Sequence, residues 1–336
     1  MKKTKVLITG VAGFLGSHLA EKLFHLNYDI IGVDNMSSGY EDNIPKEIKF
    51  YKSDCCDFNK MNEIMKGVDI IYHCAAAAHE GLSVFSPQEI TKNNLQASVA
   101  IFSAGISNKV KRIIFCSSMA RYGSQTTPFT EDMEPSPIDP YGICKVAAEK
   151  ILISLCNLNK IEWVIAVPHN IIGPRQKYDD PFRNVVSIML NRIMQNKAPI
   201  IYGDGNQKRC FSYIDDCLSC LMPMIEDPKL NKQIINIGPD EEFVTINEVF
   251  KICSNLTGSN LQPIYKKDRP LEVKHATCSA DKARKLLNYK TTTNLKEGIK
   301  LTYDYIKKRG VKPFDYHINL EIKNELTPET WLKKEI

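Results

Sequence analysis

The sequence predicts an α/β protein with a doubly wound parallel sheet and a smaller C-terminal lobe that binds substrate. From Lys5 to Cys116, short runs rich in Val and Ile alternate with helical patterns, and repeated βα units of this kind build parallel sheets. A glycine-rich turn joins the first strand to the first helix. After Pro168 the alternation loosens, which indicates a second unit with a different organisation.

The glycine-rich turn predicts a dinucleotide site. It reads Gly10-Val11-Ala12-Gly13-Phe14-Leu15-Gly16 and lies between the strand Lys5–Thr9 and a helical pattern through Leu26. Glycines let the backbone approach a pyrophosphate, which the free N–H groups at the helix N-terminus then favour. The second strand, from Asp29, ends roughly 20 residues on at Asp34, where a carboxylate accepts the ribose 2′-OH and repels a 2′-phosphate. We therefore expect NAD rather than NADP, and Asn35 supports the same choice.

The alternation continues beyond Asp34. Strands are predicted at Ile48–Lys52, Val68–His73 and Lys111–Cys116, and helices near Phe58–Lys66 and from about Pro87 to Ser107. Asp54, just past the third strand, either reaches the adenine or caps the next helix. The small side chains of Cys74-Ala75-Ala76-Ala77-Ala78 follow the fourth strand and would let a dinucleotide lie against the backbone.

A helix that starts at Asp139 carries the expected chemistry. Asp139 is a good N-cap and Pro140 suits the first helical position, so Tyr141 and Lys145 should project from one face. A cation held near a phenol favours the phenolate, so we expect Lys145 to lower the pKa of Tyr141 and make it a general base. Ser118 leaves the carboxyl end of the fifth strand, where open α/β sheets bind ligands, and is placed to meet Tyr141.

Composition excludes several classes of protein. The formal charge of +5 is spread over single Lys residues, which indicates neither nucleic-acid nor membrane binding but suits an anionic substrate. Eleven cysteines without a disulfide-like spacing, and no apolar leader, predict a reducing cytoplasm. The pair Cys217 and Cys220 falls in an apolar helical pattern, so no metal site is expected. No apolar run approaches the roughly 20 residues that span a bilayer.

Gly10-x-x-Gly13-x-x-Gly16, Asp34, Ser118 and Tyr141-x-x-x-Lys145 together resemble the extended short-chain dehydrogenase/reductase superfamily, in its nucleotide-sugar (UDP-sugar) 4-epimerase and dehydratase branch. Two later stretches, 167–175 and 203–216, resemble the family's Asn-x-x-Gly-Pro and sugar-nucleotide segments. The similarity runs from about Lys3 to Tyr305, and the resemblance does not extend to residues 310–336.

The resemblance implies a Rossmann fold and a role for each matching residue. Tyr141 would take the sugar hydroxyl proton, Lys145 would also bind the nicotinamide ribose, and Ser118 would bridge the reacting oxygen. The cofactor would be NAD, held by Gly10, Gly13, Phe14, Leu15, Gly16, Asp34, Asn35, Asp54, Cys55, Ala75, Ala76, Asn94, Tyr141 and Lys145. The substrate would contact His79, Ser118, Asn170, Asn184, Arg209, Arg269 and Ala276. The loop His79-Glu80-Gly81 falls where relatives place substrate-side residues, although His79 alternatively caps the next helix.

We expect residues 1–170 to form the NAD-binding unit, 171–315 mainly the sugar-nucleotide lobe, and 316–336 a tail that either packs as a flap or stays mobile. We allow for a return of the chain to the sheet between these units, so we interpret the boundary as a functional division and not as a linker. The resemblance implies a homodimer that pairs helices 87–107 and 141–157, and a place in polysaccharide biosynthesis.

The expected reaction is C4 epimerisation of a UDP-hexose or UDP-N-acetylhexosamine through a 4-keto intermediate. A small side chain at Ala276 would leave room for an acetamido group. The runner-up substrate is a UDP-hexuronate, whose carboxylate Arg175 and Arg183 would pair with. A 4,6-dehydratase is disfavoured because Met119 and Ala120 cannot move protons. A non-catalytic NAD-binding regulator is the last alternative, since it would be expected to lose Tyr141 or Lys145.

Overall fold

A seven-stranded parallel sheet organises the protein. The computed structural model describes residues 3–336, so the first two residues of the predicted NAD-binding unit lie outside the described residues. The strand order is β11-β6-β5-β4-β1-β2-β3 and every pair in the sheet is parallel. The order reverses between β1 and β4, which is where ligands bind in open sheets of this kind. The predicted doubly wound α/β fold is confirmed.

The strands and helices have these bounds. The strands are β1 Lys5–Thr9, β2 Asp29–Asp34, β3 Lys49–Lys52, β4 Ile70–His73, β5 Arg112–Cys116, β6 Glu162–Pro168, β7 Ile171–Ile172, β8 Ile200–Tyr202, β9 Lys208–Arg209, β10 Ser212–Tyr213, β11 Gln233–Ile237, β12 Val244–Thr245, β13 Ile264–Lys266 and β14 His275–Ala276. The helices are α1 Phe14–His25, α2 Phe58–Ile64, α3 Glu80–Ser83, α4 Pro87–Thr91, α5 Ala97–Ser107, α6 Pro140–Asn159, α7 Val185–Met194, α8 Ile214–Leu221, α9 Ile246–Thr257, α10 Asp281–Leu287, α11 Leu295–Arg309 and α12 Glu329–Leu332.

The predicted helix 87–107 differs from an ideal α-helix at its centre. A π-helical turn, Lys92–Gln96, separates α4 from α5. Such turns insert an extra residue and are frequent at functional sites. Asn94 lies in this turn and is fully buried.

Alternating side chains along the strands cover both faces of the sheet. Leu7 packs into one core cluster, whereas Val6 and Ile8 pack into another on the opposite face. Cys217 and Cys220 are buried in the second cluster, as the apolar pattern of α8 predicts. None of the helices in residues 3–336 combines the length and the apolar character needed to cross a membrane.

The C-terminal half contributes both to the sheet and to a separate lobe. Strand β11 pairs with β6, so the chain returns to the sheet after residue 170, as the sequence analysis allows. The lobe core is formed where α7, α9 and α11 pack together, through residues such as Leu190, Val249 and Ile299. The tail packs against the rest of the protein as a flap. Its residues Trp331 and Ile336 are buried in a cluster with Phe85 and Phe182.

Candidate active site

The turn after β1 presents a bare backbone surface. Gly10 has a φ of 71°, a conformation that favours glycine, and a Cβ there would lie 2.9 Å from the backbone of Ala75. A side chain at Gly16 would collide with the carbonyl of Gly10. At Gly13 a Cβ would approach only that same carbonyl, at 3.1 Å. The glycines therefore bring the N-terminus of α1 against the end of β4 and leave no side chain between the backbone and the neighbouring cavity.

Asp34 ends β2 with its carboxylate held by backbone donors. Its Oδ2 accepts from the Ala12 N–H at 3.0 Å and its Oδ1 from the Met36 N–H at 2.8 Å. Burial raises the pKa of Asp34, while these hydrogen bonds oppose the rise. The carboxylate is thereby fixed beside the glycine turn at the cavity wall.

Helix α6 begins as the sequence predicts. Asp139 is the N-cap and its Oδ1 accepts from the Gly142 N–H at 3.0 Å, while Pro140 occupies the first turn. Lys145 Nζ donates to the Cys116 carbonyl at 2.9 Å and lies 5.9 Å from the centre of the Tyr141 ring. The helix therefore fixes both side chains against the end of β5.

The expected lowering of the Tyr141 pKa by Lys145 is wrong for this structure. Burial raises the pKa of Tyr141 above its ordinary value, and the nearby Ser118 opposes that rise while Glu80 and Asp139 add to it. Burial also lowers the pKa of Lys145 to about 8. Burial is therefore the main influence on the pKa of Tyr141 in the absence of other groups, while the Lys145 ammonium donates to a backbone carbonyl.

One cavity of about 480 Å³ brings most of the predicted residues together. Ser118, Tyr141 and Lys145 line it, and so do all but one of the residues predicted to hold the cofactor. From the C-terminal half, Asn170, Asn184, Arg209 and Arg269 line the same cavity. The fold thus places the glycine turn, the Tyr141 helix and the two arginines around one volume.

Three predicted residues lie elsewhere. Asn94 does not reach the cavity, because its buried amide donates to the carbonyls of Ala77 and Ile90 at 3.1 and 2.9 Å. Ala276 does not line the sugar pocket; β14 pairs it with Arg209 and turns its methyl group into the core. Arg175 pairs with Glu21 at 2.8 Å, away from the cavity, so only Arg183 of the proposed uronate pair lies at the site.

The two arginines meet at Glu272. Arg269 donates to Glu272 through Nε at 3.0 Å and through one terminal nitrogen at 2.9 Å. Arg209 donates to the carbonyls of Lys208 and Val273 and lies 3.9 Å from the same carboxylate. Two planar cations with several donors each can hold a diphosphate.

His79 is held by a buried carboxylate. Its Nε2 lies 2.8 Å from Asp180 Oδ2, and Arg183 Nε lies 3.3 Å from the same oxygen. Burial by itself would raise the pKa of Asp180, but His79 and Arg183 hold it well below its ordinary value. Burial lowers the pKa of His79. His317 approaches the same oxygen, so His79, Asp180 and His317 form a cluster of potential metal ligands. Arg183 already supplies a positive charge to the Asp180 carboxylate in this cluster.

No pattern in the sequence predicts the role of the tail in this cavity. His317, Ile318 and Ile336 line its wall. Backbone N–H groups of Glu321 and Ile322 donate to the Phe85 carbonyl at 2.8 and 2.9 Å. The Glu321 carboxylate accepts from two N–H groups in the first turn of α4, so the tail is bound through several independent contacts.

Comparison with known proteins assigns the chain to a family. Residues 6–238 match the NAD dependent epimerase/dehydratase family. The UDP-glucose 4-epimerase of Thermotoga maritima, solved with UDP-glucose, is 32% identical with a TM-score of 0.86, over 91% of this chain and 99% of that chain. A UDP-N-acetylglucosamine 4-epimerase from Methanobrevibacter ruminantium M1, in complex with UDP-N-acetylmuramic acid, is 29% identical with a TM-score of 0.84, over 92% and 100%. A UDP-glucuronic acid 4-epimerase from Bacillus cereus, with UDP-glucuronic acid and NAD, is 27% identical with a TM-score of 0.85, over 91% and 100%.

The chain belongs to the NAD dependent epimerase/dehydratase family. It is an NAD-dependent nucleotide-sugar epimerase, as the sequence analysis predicts. The residues present fit NAD, because the glycine turn leaves a bare backbone surface and Asp34 offers an ionisable carboxylate at the end of β2.

Proposed function

We propose that this enzyme inverts C4 of a UDP-hexose or a UDP-N-acetylhexosamine. One observation carries the proposal: Ser118, Tyr141 and Lys145 line the same cavity as Arg209 and Arg269. A sugar linked to a diphosphate on the arginines would present a ring hydroxyl to the phenol. The relatives solved with UDP-sugars support UDP as the nucleotide.

In the proposed reaction Tyr141 takes the C4 hydroxyl proton and later returns it, while Ser118 hydrogen-bonds the reacting oxygen. Lys145 binds the nicotinamide ribose and supplies positive charge near the phenol. NAD, held beside the glycine turn and Asp34, would supply the acceptor and later the donor of the C4 hydride. Inversion at C4 requires the 4-keto sugar to present its other face before that hydride is returned.

Neighbouring residues disfavour the two alternative reactions. Met119 and Ala120, next to Ser118, cannot act as the acid and base that a 4,6-dehydratase requires. For a hexuronate, Arg175 is paired with Glu21, and Arg183 is engaged by Asp180 and, at 3.1 Å, by the Ser38 hydroxyl. Because Ala276 lies in the core, it does not set the choice between a hydroxyl and an acetamido group at C2.

The test is a panel of UDP-, GDP- and dTDP-sugars assayed for C4 inversion by the purified enzyme. We expect turnover of UDP-glucose or UDP-N-acetylglucosamine without added reductant, since the cofactor is regenerated in each cycle. Stoichiometric release of reduced NAD, or loss of water from the sugar, would contradict the proposal.

We also propose a homodimer that pairs the helices of residues 87–107 and 141–157. Ile143 on α6 is 52% exposed, and Leu158, just beyond this range on the same helix, is 80% exposed. Burying such side chains would favour association. Light scattering should give a dimer at micromolar concentration and a monomer for Ile143→Arg, whereas Leu26→Arg, on α1's C-cap at 61% exposure, should leave the dimer intact. A monomeric parent protein would exclude this arrangement.

A further inference from the structure

Glu80 is a carboxylate in the cavity that no protein group within residues 3–336 pairs with. It begins α3 and lines the cavity, and its side chain is exposed to that space. Within residues 3–336 its carboxylate makes no hydrogen bond or ion pair, whereas its backbone carbonyl accepts from the Ser83 hydroxyl at 2.6 Å. Acidic groups in protein sites are usually paired, so an unpaired one that faces a ligand cavity points to a ligand.

Charged groups on three sides place Glu80 between the reacting phenol and the diphosphate arginines. From α6, Asp139 and Tyr141 are near enough for their charges to interact with Glu80. Arg209 on β9 does the same, and so do Arg269 and Glu272 in the loop between β13 and β14. The cavity wall and Asp139 raise the pKa of Glu80 to about 7, while the two arginines oppose this rise.

The backbone around Glu80 is fixed. The preceding residue, His79, is bound to Asp180, and its N–H donates to the Ala77 carbonyl at 3.0 Å. A Cβ at the following residue, Gly81, would lie 3.4 Å from Arg269 and 3.7 Å from Trp331. Glu80 therefore has little freedom to swing its backbone away from a ligand.

We propose that Glu80 determines which sugars the site accepts: its carboxylate takes hydrogen bonds from the hydroxyls of an uncharged sugar and repels the carboxylate of a hexuronate. This inference rests on the proposed function. A sugar whose diphosphate is bound by Arg209 and Arg269, and whose C4 hydroxyl lies at Tyr141, would lie next to Glu80. Sugar hydroxyls are donors that an ionised carboxylate binds strongly. The carboxylate of a hexuronate, placed next to Glu80, would be repelled by the like charge in a site of low dielectric.

The test is Glu80→Gln, which keeps the shape and removes the charge. Dissociation constants of UDP-glucose and UDP-glucuronate are measured by calorimetry on the NAD-loaded protein. We expect the parent to bind UDP-glucose at least tenfold more tightly than UDP-glucuronate, and the variant to narrow that ratio about tenfold. Glu89→Gln, which removes another carboxylate of the same wall that already binds Asn93, should leave the ratio unchanged.

A pH series on the parent protein tests the same point without a substitution. Below about pH 7 Glu80 is protonated and the repulsion is lost, so the preference for UDP-glucose should grow as the pH rises from 6 to 8. The Gln variant should show a flat ratio. An unchanged ratio in Glu80→Gln, or a parent ratio that does not depend on pH, overturns the role of Glu80. If the parent epimerises no UDP-sugar at all, the proposed function fails instead, and the two failures are distinguished.

Discussion

The Nε2 atom of His79 lies 2.8 Å from Oδ2 of Asp180, and both side chains are fully buried. Asp180 also accepts from the Phe182 N–H at 2.9 Å and from Arg183. A single carboxylate thus joins the loop after β4 to the segment before α7. This connection fixes the relative position of the two units on either side of the cavity.

Asp180→Asn should destabilise the protein by about 3 kcal/mol, because it leaves Arg183 without its buried counter-charge and weakens the hydrogen bond to His79. Urea unfolding followed by circular dichroism measures the change. Asp304→Asn, which removes only an exposed pair with Lys300, should stay within about 0.5 kcal/mol of the parent. Equal effects of the two substitutions would mean that the connection contributes nothing specific.

Tyr141→Phe should lower kcat by at least about 100-fold while NAD stays bound, because the ring is kept and the proton acceptor is lost. Turnover and cofactor content are measured on the same preparation. Tyr303→Phe, on α11 and away from the cavity, serves as the control. Activity within a few-fold of the parent would remove Tyr141 from the mechanism.

Lys145→Ala should weaken NAD binding and reduce kcat together, since one side chain supplies both a ribose contact and the charge near the phenol. The Cys116 carbonyl also loses its donor, so thermal unfolding is recorded in parallel. Lys150→Ala, an exposed lysine of the same helix, should change neither quantity. A variant with normal NAD affinity and normal kcat would make Lys145 purely structural.

Trp331→Ala should release the tail and raise the KM for the UDP-sugar more than it lowers kcat. The Trp331 ring packs edge-on against Phe182 at 5.2 Å and Phe85 at 5.9 Å, and removing a buried Trp costs about 3–5 kcal/mol. Limited proteolysis should then cut the tail. The neighbouring Leu332, 44% exposed, gives the matched control Leu332→Ala. Unchanged KM despite a cleaved tail would show that the flap does not contribute to binding.

Stability should fall as the pH drops below about 6.5, through buried histidines. Burial lowers the pKa of His73 to about 3 and that of His169 to about 4. As the pH falls, these histidines take up protons in the unfolded chain, at their ordinary pKa of about 6.5, before they do so in the folded protein. Each group therefore lowers the free energy of unfolding by about 1.4 kcal/mol at pH 5.5 and has almost no effect above about pH 7.5. Urea unfolding at the two pH values measures this loss. His169→Gln should reduce it, whereas His25→Gln, in the last turn of α1, should not.

Local patterns in the sequence predict the sheet and much of the cavity. The glycine turn, the cap at Asp139 and the strand bounds up to Cys116, which agree within two residues, depend on neighbours in sequence. The expected position of Ala276 in the sugar pocket is wrong because its orientation depends on pairing with β9, 67 residues earlier, and counting along the chain cannot give that register. The expected lowering of the Tyr141 pKa is wrong because burial is a tertiary property. The tail carries no periodicity, so only its packing against Phe85 reveals its place.

The Glu321 carboxylate meets the first turn of α4 across separations of 232 and 233 residues. Contacts between segments so far apart in sequence form after the chain between them has been brought together, whereas the βα units form from neighbouring segments. During refolding the sheet should therefore assemble before the flap docks, and during gentle denaturation the flap should leave first. The protein would pass through a state that still binds its dinucleotide but no longer binds the sugar nucleotide. The two ligands would therefore report on two different stages of the same unfolding process.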